Sequence, residues 1–186
     1  MNPSIQQMLN RYTCENENDY INAIREIMQE LALQGLWRGK FFEHAAFYGG
    51  TALRILYGLN RSSEDLDFSL LSPNPEFHLS TYSKAIKREL ESFGFSTEFV
   101  TKGKVQHTNI ESAFLKTNTK MQLISIGLPN GITSRIHSKT ELKIKLEIDI
   151  DPPPGFQTTV KTLLRPFPHS VRVYTTPDLL AGKLHA

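Results

Sequence analysis

The 186-residue sequence predicts an α/β fold, a mixed β-sheet flanked by helices. Two observations point there. Helical and strand-like segments alternate through the first half, and the second half is mostly strands. A third, the lack of any repeat, low-complexity tract or flexible linker, predicts a single domain over residues 1–186.

The clearest helix is "ENENDYINAIREIMQELALQG", about 17–35, where Ile21, Ile24, Met28 and Leu31 recur at helical spacing. Asn16 or Asn18 can cap it and Gly35 can end it. The rest, about 44–186, forms the core of the domain. "HAAFYGG" reads as a short buried strand stopped by Gly49 and Gly50, and "TALRILYG" as a two-turn helix ending at Gly58. "EDLDFSLL" alternates as a strand does, and "SPNP" terminates it. "EFHLSTYSKAIKRELESFG" predicts a second amphipathic helix, with Phe77, Tyr82, Ile86 and Leu90 on one face. "FSTEFVTK", "NIESAFLKT", "MQLISIG" and "LKIKLEIDI" all fit a period of two. "DPPPGF" breaks the last of them, because proline cannot donate to a ladder. "VRVYT" is a short strand, and "TTPDLLAGKLHA" opens a helix with Thr175 or Thr176 as cap and Pro177 in its first turn.

Composition bounds the function classes. Apolar residues make up 39% and charged residues 22%, with a net charge of +2. That bias is too weak to argue a nucleic-acid partner from charge alone. The single cysteine, Cys14, excludes an internal disulfide framework and a cysteine zinc site. The N-terminus has no apolar signal core and no stretch nears membrane-spanning length. The expectation is a cytoplasmic protein with no membrane partner.

The chemistry concentrates in "GGTALRILYGLNRSSEDLDF". A strand that turns through Gly49-Gly50 into a helix offers free backbone N–H groups and the positive end of the helix dipole, a site suited to phosphate. Thr51 can add its hydroxyl or cap the helix. The plain alternative is a tight turn that needs glycine for steric reasons. Asp65 and Asp67 are two apart on a strand, so both point to one face while Leu66 and Phe68 point to the core. Two adjacent carboxylates repel, and a divalent cation removes the conflict. Oxygen-only ligands favour magnesium, or manganese, over zinc. The plain alternative is a solvated strand face. A third carboxylate is sought in "KIKLEIDID", where Lys145, Glu147, Asp149 and Asp151 share one face and Ile144, Leu146, Ile148 and Ile150 the other. An exposed edge strand would carry the same pattern.

These residues resemble the AbiEii/AbiGii toxin family of nucleotidyltransferases, within the polymerase-beta-like nucleotidyltransferase superfamily. The resemblance is carried by "YGGTALRILYGLNRSSEDLDF", "KIKLEID" and "TTPDLLAGKLHA", in that order, with Asp178 and Lys183 on the last block. It implies a nucleotidyltransferase-like sheet and transfer of a nucleotidyl group from a nucleoside triphosphate, with Mg2+ as cofactor (Mn2+ in its place). Gly49, Gly50 and Thr51 match the phosphate-binding turn. Asp65 and Asp67 match the metal-binding pair. Lys145 and Glu147 match the charged third motif, with Asp149 as a second candidate for its carboxylate. Lys183 matches the lysine that contacts nucleotide, and Arg61 and Ser63 lie in the matching loop. An RNA or tRNA acceptor and a cognate antitoxin are the implied partners, in abortive infection or phage defence. The competing expectation is a non-catalytic nucleotide- or partner-binding module of the same fold. A third is a metal-dependent phosphohydrolase using the same carboxylates. Relatives of this kind continue into a helical C-terminal part, so this chain is expected to lack that part or to be cut short of it.

Other residues carry weaker expectations. The six histidines show no metal-ligand spacing. Trp37 and Phe41 are expected in the core, and Lys84, Lys87 and Arg88 on a solvated helix face. Lys102, Lys104, Lys139 and Lys143 are candidates for lining an RNA route.

Overall fold

Seven strands form one mixed sheet in the computed structural model, which describes residues 3–59, 63–102, 109–125, 127–128, 130–134 and 136–185. The strands are β1 (Ala45–Tyr48), β2 (Asp65–Leu70), β3 (Glu98–Thr101), β4 (Ile110–Asn118), β5 (Glu141–Asp149), β6 (Thr158–Leu163) and β7 (His169–Tyr174). The helices are α1 (Pro3–Leu9), α2 (Glu17–Arg38), α3 (Gly49–Tyr57), α4 (Ser83–Ser92), α5 (Thr119–Ser125), α6 (Asn130–Thr133) and α7 (Thr176–His185). The sheet order is β3-β4-β5-β2-β1-β7-β6. β2–β5 and β1–β7 are parallel and the other pairs antiparallel, so the expected mixed sheet is present.

The core lies on one face of this sheet. Phe47, Leu66, Phe68, Leu146, Ile148 and Val173 are fully buried there. α2 packs across them, and from Ile27 to Leu36 every one of its residues is buried. A helix enclosed on all sides shows little amphipathicity. Asn16 starts it through a capping box, accepting the Asp19 N–H while Asp19 accepts the Asn16 N–H.

Four expectations need correction. Gly35 does not end the helix, which runs on to Arg38. A Cβ at Gly35 would lie 2.7 Å from the Ile86 Cα and 3.0 Å from the Ala85 carbonyl oxygen. Gly35 is therefore the contact point at which α2 and α4 approach backbone to backbone. "MQLISIG" is not a strand, because residues 119–125 form α5. Asn118 accepts the Met121 N–H at 3.0 Å, as a helix cap does. Gln122 then binds the Gly94 carbonyl and the Ser96 N–H. The helix expected from Glu76 begins as a 3-10 turn at Leu79–Tyr82 and becomes α-helical only at Ser83. Trp37 is 39% exposed rather than in the core, while Phe41 is fully buried as expected. Three elements, α1, the short α6 and the edge strand β6, have no counterpart in the sequence reading. Among the described residues no helix is long and apolar enough to cross a membrane.

Replacing Gly35 by Ala sets two effects against each other. Helix propensity favours alanine by about 1 kcal/mol. Forcing α2 and α4 apart costs typically about 1–3 kcal/mol. Backbone atoms cannot yield as a side-chain tip can, so Gly35→Ala is expected to lower the urea midpoint. An unchanged or higher midpoint contradicts the close crossing.

Candidate active site

β2 supplies the two aspartates. They alternate with buried Leu66 and Phe68, which turns both carboxylates to the face opposite the core. β5 runs parallel beside it, with Asp65 level with Lys145 and Asp67 level with Glu147. Ser112 of β4 is level with Glu147 on the other side. The Lys145 Nζ lies 2.7 Å from the Glu147 Oε1, and the Ser112 hydroxyl donates to the same oxygen at 3.1 Å. Asp149 stands one step further, level with Ser69, and its Oδ1 accepts the Asp151 N–H. Register therefore sets Glu147, not Asp149, opposite Asp67.

The glycine turn meets this cluster directly. Tyr48, the last residue of β1, pairs with Asp67. Gly49 follows with φ at 79°, in the left-handed region. A Cβ at Gly49 would also run into the Asp67 carboxylate and lie 3.0 Å from the Asp67 Cβ. Glycine is required there on both counts. Gly50 has open space around the same position, so sterics do not demand it. No side chain caps the start of α3. Its first amides are thus left for solvent or an anion beside the acids.

Thr51 behaves differently from either sequence expectation. It is fully buried, and its hydroxyl donates to the Asp65 carbonyl. It ties the turn to β2 and neither caps α3 nor reaches outward. Ser63 is half-buried, and its carbonyl accepts the Gln29 amide at 2.9 Å. Arg61 lies outside the described residues. Lys183 falls on α7, and its side chain is outside the described residues.

Three residues of α2 brace this unit, and sequence reasoning singled out none of them. Gln29 holds the chain at Ser63, Arg25 pairs with Glu64 at 3.1 Å, and Glu26 pairs with Arg54 of α3. They come from one stretch of α2, at spacings that present them toward the same neighbour. Beside the acids stands a row of rings that was also not foreseen. Tyr174 stacks on Tyr48 with centroids 5.1 Å apart, and on Phe156 at 4.5 Å.

The electrostatics follow from crowding. Burial raises the Asp67 pKa from 3.8 to about 6, aided by the charges of Asp65 and Glu147 and opposed by Lys145. Burial also raises Asp65, where Lys145 pulls down and Glu147 pushes up. Lys145 is raised, chiefly by its hydrogen bond to Glu147. Tyr48 is pushed up to about 12 by burial and then by Asp67. As these side chains stand, no three acidic, histidine or cysteine groups among the described residues form a cation cage. Glu147 is held by Lys145 instead. The donor set nonetheless suits a hard cation: three carboxylates on one face, with two of them raised in pKa by burial and by like charge, the strain a divalent ion relieves.

Residues 31–186 match the family described as nucleotidyl transferase AbiEii toxin, type IV toxin–antitoxin system. The chain belongs to this family. The AbiEii match takes in the glycine turn, both aspartates, β5 and α7, while Arg25, Glu26 and Gln29 precede it. Two solved structures share the fold. One is a candidate nucleotidyltransferase from H. pylori, with TM-score 0.50 and 20% identity, over 87% of this chain and 57% of that one. The other is JHP933 from Helicobacter pylori, with TM-score 0.51 and 19% identity, over 88% of this chain and 56% of that one. The chain thus spans little more than half the length of either. No curated protein matches it.

A raised aspartate pKa has a definite sign. The folded chain binds the Asp67 proton more tightly than the unfolded chain does. Stability is therefore lost as pH rises from about 4 through 6, and the cost above that is roughly 3 kcal/mol. Asp67→Asn is expected to raise the melting temperature at pH 7.5 in metal-free buffer, with the gain gone near pH 4. Equal melting temperatures at both pH values contradict the crowded-carboxylate account.

Proposed function

We propose that this chain is a divalent-metal-dependent nucleotidyltransferase. It moves a nucleoside monophosphate from a nucleoside triphosphate to an RNA acceptor, as the toxin of a toxin–antitoxin pair with a cognate antitoxin. The observation that carries the reading is the meeting of Gly49 with Asp67, beside Asp65 and Glu147 on one sheet face. Membership of the AbiEii family supports the reaction class.

Asp65, Asp67 and Glu147 would hold Mg2+ or Mn2+. When bound, the ion neutralises phosphate charge and lowers the pKa of an oxygen nucleophile. The chain's own parts do the rest. Amides at the start of α3 receive the triphosphate, and the absence of a side chain at Gly49 and Gly50 lets it come close. Lys145 adds positive charge at the same place, and Glu147 leaves it when a cation competes for its carboxylate. Thr51 and Gln29 keep the turn and Asp65 in fixed relation, which suits a reaction driven by positioning and charge. Asp149 and Lys183 are further candidates, for activating the acceptor hydroxyl and for contacting nucleotide, and Arg61 and Ser63 are candidates for orienting the aspartates or touching phosphate. Attack falls on the α-phosphorus, and pyrophosphate leaves.

Incubation with α-labelled triphosphates, Mg2+ or Mn2+ and total RNA tests this. Label is expected to appear in RNA with stoichiometric pyrophosphate. Asp65→Asn and Asp67→Asn are each expected to reduce transfer at least about a hundredfold while the fold is retained. Tight nucleotide binding without pyrophosphate release would make the chain a binding module instead, and release of orthophosphate a hydrolase.

A further inference from the structure

Two recesses meet at the C-terminal end of α2. One, of about 550 Å3, is lined by Trp37, Arg38 and Arg172 among others. The other, of about 650 Å3, lies between α4 and the segment before β7, where Arg38, Lys84, Arg88 and Phe167 line it. Arg38 borders both, so the two form one strip.

Its charge is positive and mostly unspent. Lys84 and Arg88 are one helical turn apart and exposed, and neither pairs with an acid among the described residues. Arg38 spends its Nε on buried Glu89 at 2.7 Å, yet its side chain stays 53% exposed. The carboxylates lining the strip, Glu89 and Glu43, are each already matched by a cation. Aromatic rings are interleaved with the cations. Trp37 is 39% and Phe167 54% exposed, and the Arg38 guanidinium lies over the Trp37 ring. Large rings left open between arginines suit unpaired bases and a phosphate backbone.

The strip leads to the acids. Arg172 donates to the Thr158 hydroxyl, Thr158 pairs with Tyr174, Tyr174 stacks on Tyr48, and Tyr48 pairs with Asp67. Arg172 is two residues along and two strands across from Asp67, or roughly 12 Å. That is a span a strand of a few nucleotides bridges. On the other flank, Lys104 lies outside the described residues, and Lys143 sits 4.0 Å over the Phe114 ring.

We propose that this strip seats the acceptor, as a single-stranded stretch of nucleic acid. Its phosphates lie on Lys84, Arg88 and Arg38, its bases stack on Phe167 and Trp37, and it reaches the acids past Arg172. The assignment rests on the nucleotidyl-transfer reading above and adds where the acceptor runs.

The test is anisotropy of a labelled, unstructured polyuridine 20-mer over a salt series, with nucleotide binding followed in parallel by calorimetry. Lys84→Gln with Arg88→Gln is expected to weaken RNA binding at least about tenfold near 0.1 M salt. It should also lower the slope of log K against log salt by about 1.4, at roughly 0.7 per phosphate contact. Trp37→Leu is expected to weaken binding with the slope unchanged. Both variants should keep wild-type nucleotide affinity, because neither touches the acids or the turn. Unaltered affinity and slope in the double variant overturn the strip. Displacement of the RNA by a polyglutamate peptide of equal charge, at equal potency, makes it a protein-docking face and also overturns it. A wild-type chain that binds nucleotide but no RNA removes the strip alone, and one that binds neither removes the transfer reading with it.

Discussion

The Asp67 carboxylate stands where the side chain of residue 49 would have to be, and most of the site follows from that contact. It forbids any residue but glycine at the first position after β1. It also brings the start of α3, with its uncapped amides, against an acid that the β1–β2 ladder has fixed in register. An anion-binding turn and a cation-binding carboxylate are thereby held within a few ångströms by backbone pairing. Thr51 adds a second tie between turn and strand, and α2 clamps both ends of the unit through Gln29, Arg25 and Glu26. Burial of Asp67, reinforced by the charges of Asp65 and Glu147, raises its carboxyl pKa and costs the fold stability at neutral pH. A cation bound there turns that cost into affinity.

Strand periodicity explains why the acids share one face. β2 and β5 bury Leu66, Phe68, Leu146 and Ile148 against α2, so their alternate residues must all point the other way. Parallel pairing then aligns Asp67 with Glu147 without any loop having to position either. Acids carried on paired central strands are held more rigidly than loop residues would be, which suits chemistry that depends on placement.

Local signals made part of this legible before any coordinates. The glycine pair, the Asp-x-Asp spacing and the alternation of 142–150 are short-range patterns, and the strands and helices around them formed close to where expected. What escaped depends on partners distant in sequence. Gly35 reads as a helix stop until α4 is seen against it. "MQLISIG" alternates like a strand, but its fate is set by Asn118 capping and by Gln122 reaching back to Gly94 and Ser96. The Thr51 hydroxyl looked free for phosphate until the Asp65 carbonyl was found beside it. Ser112, the braces on α2 and the stacked rings carry no motif at all, because their roles come from sheet order and helix packing.

The most direct test is a crystal soaked with Mn2+ and a non-hydrolysable nucleoside triphosphate, examined by anomalous diffraction. The account predicts a manganese peak coordinated by Asp65, Asp67 and Glu147, with the Glu147–Lys145 pair opened and the triphosphate on the amides after Tyr48. Manganese bound elsewhere, or triphosphate seated away from Gly49, would contradict it.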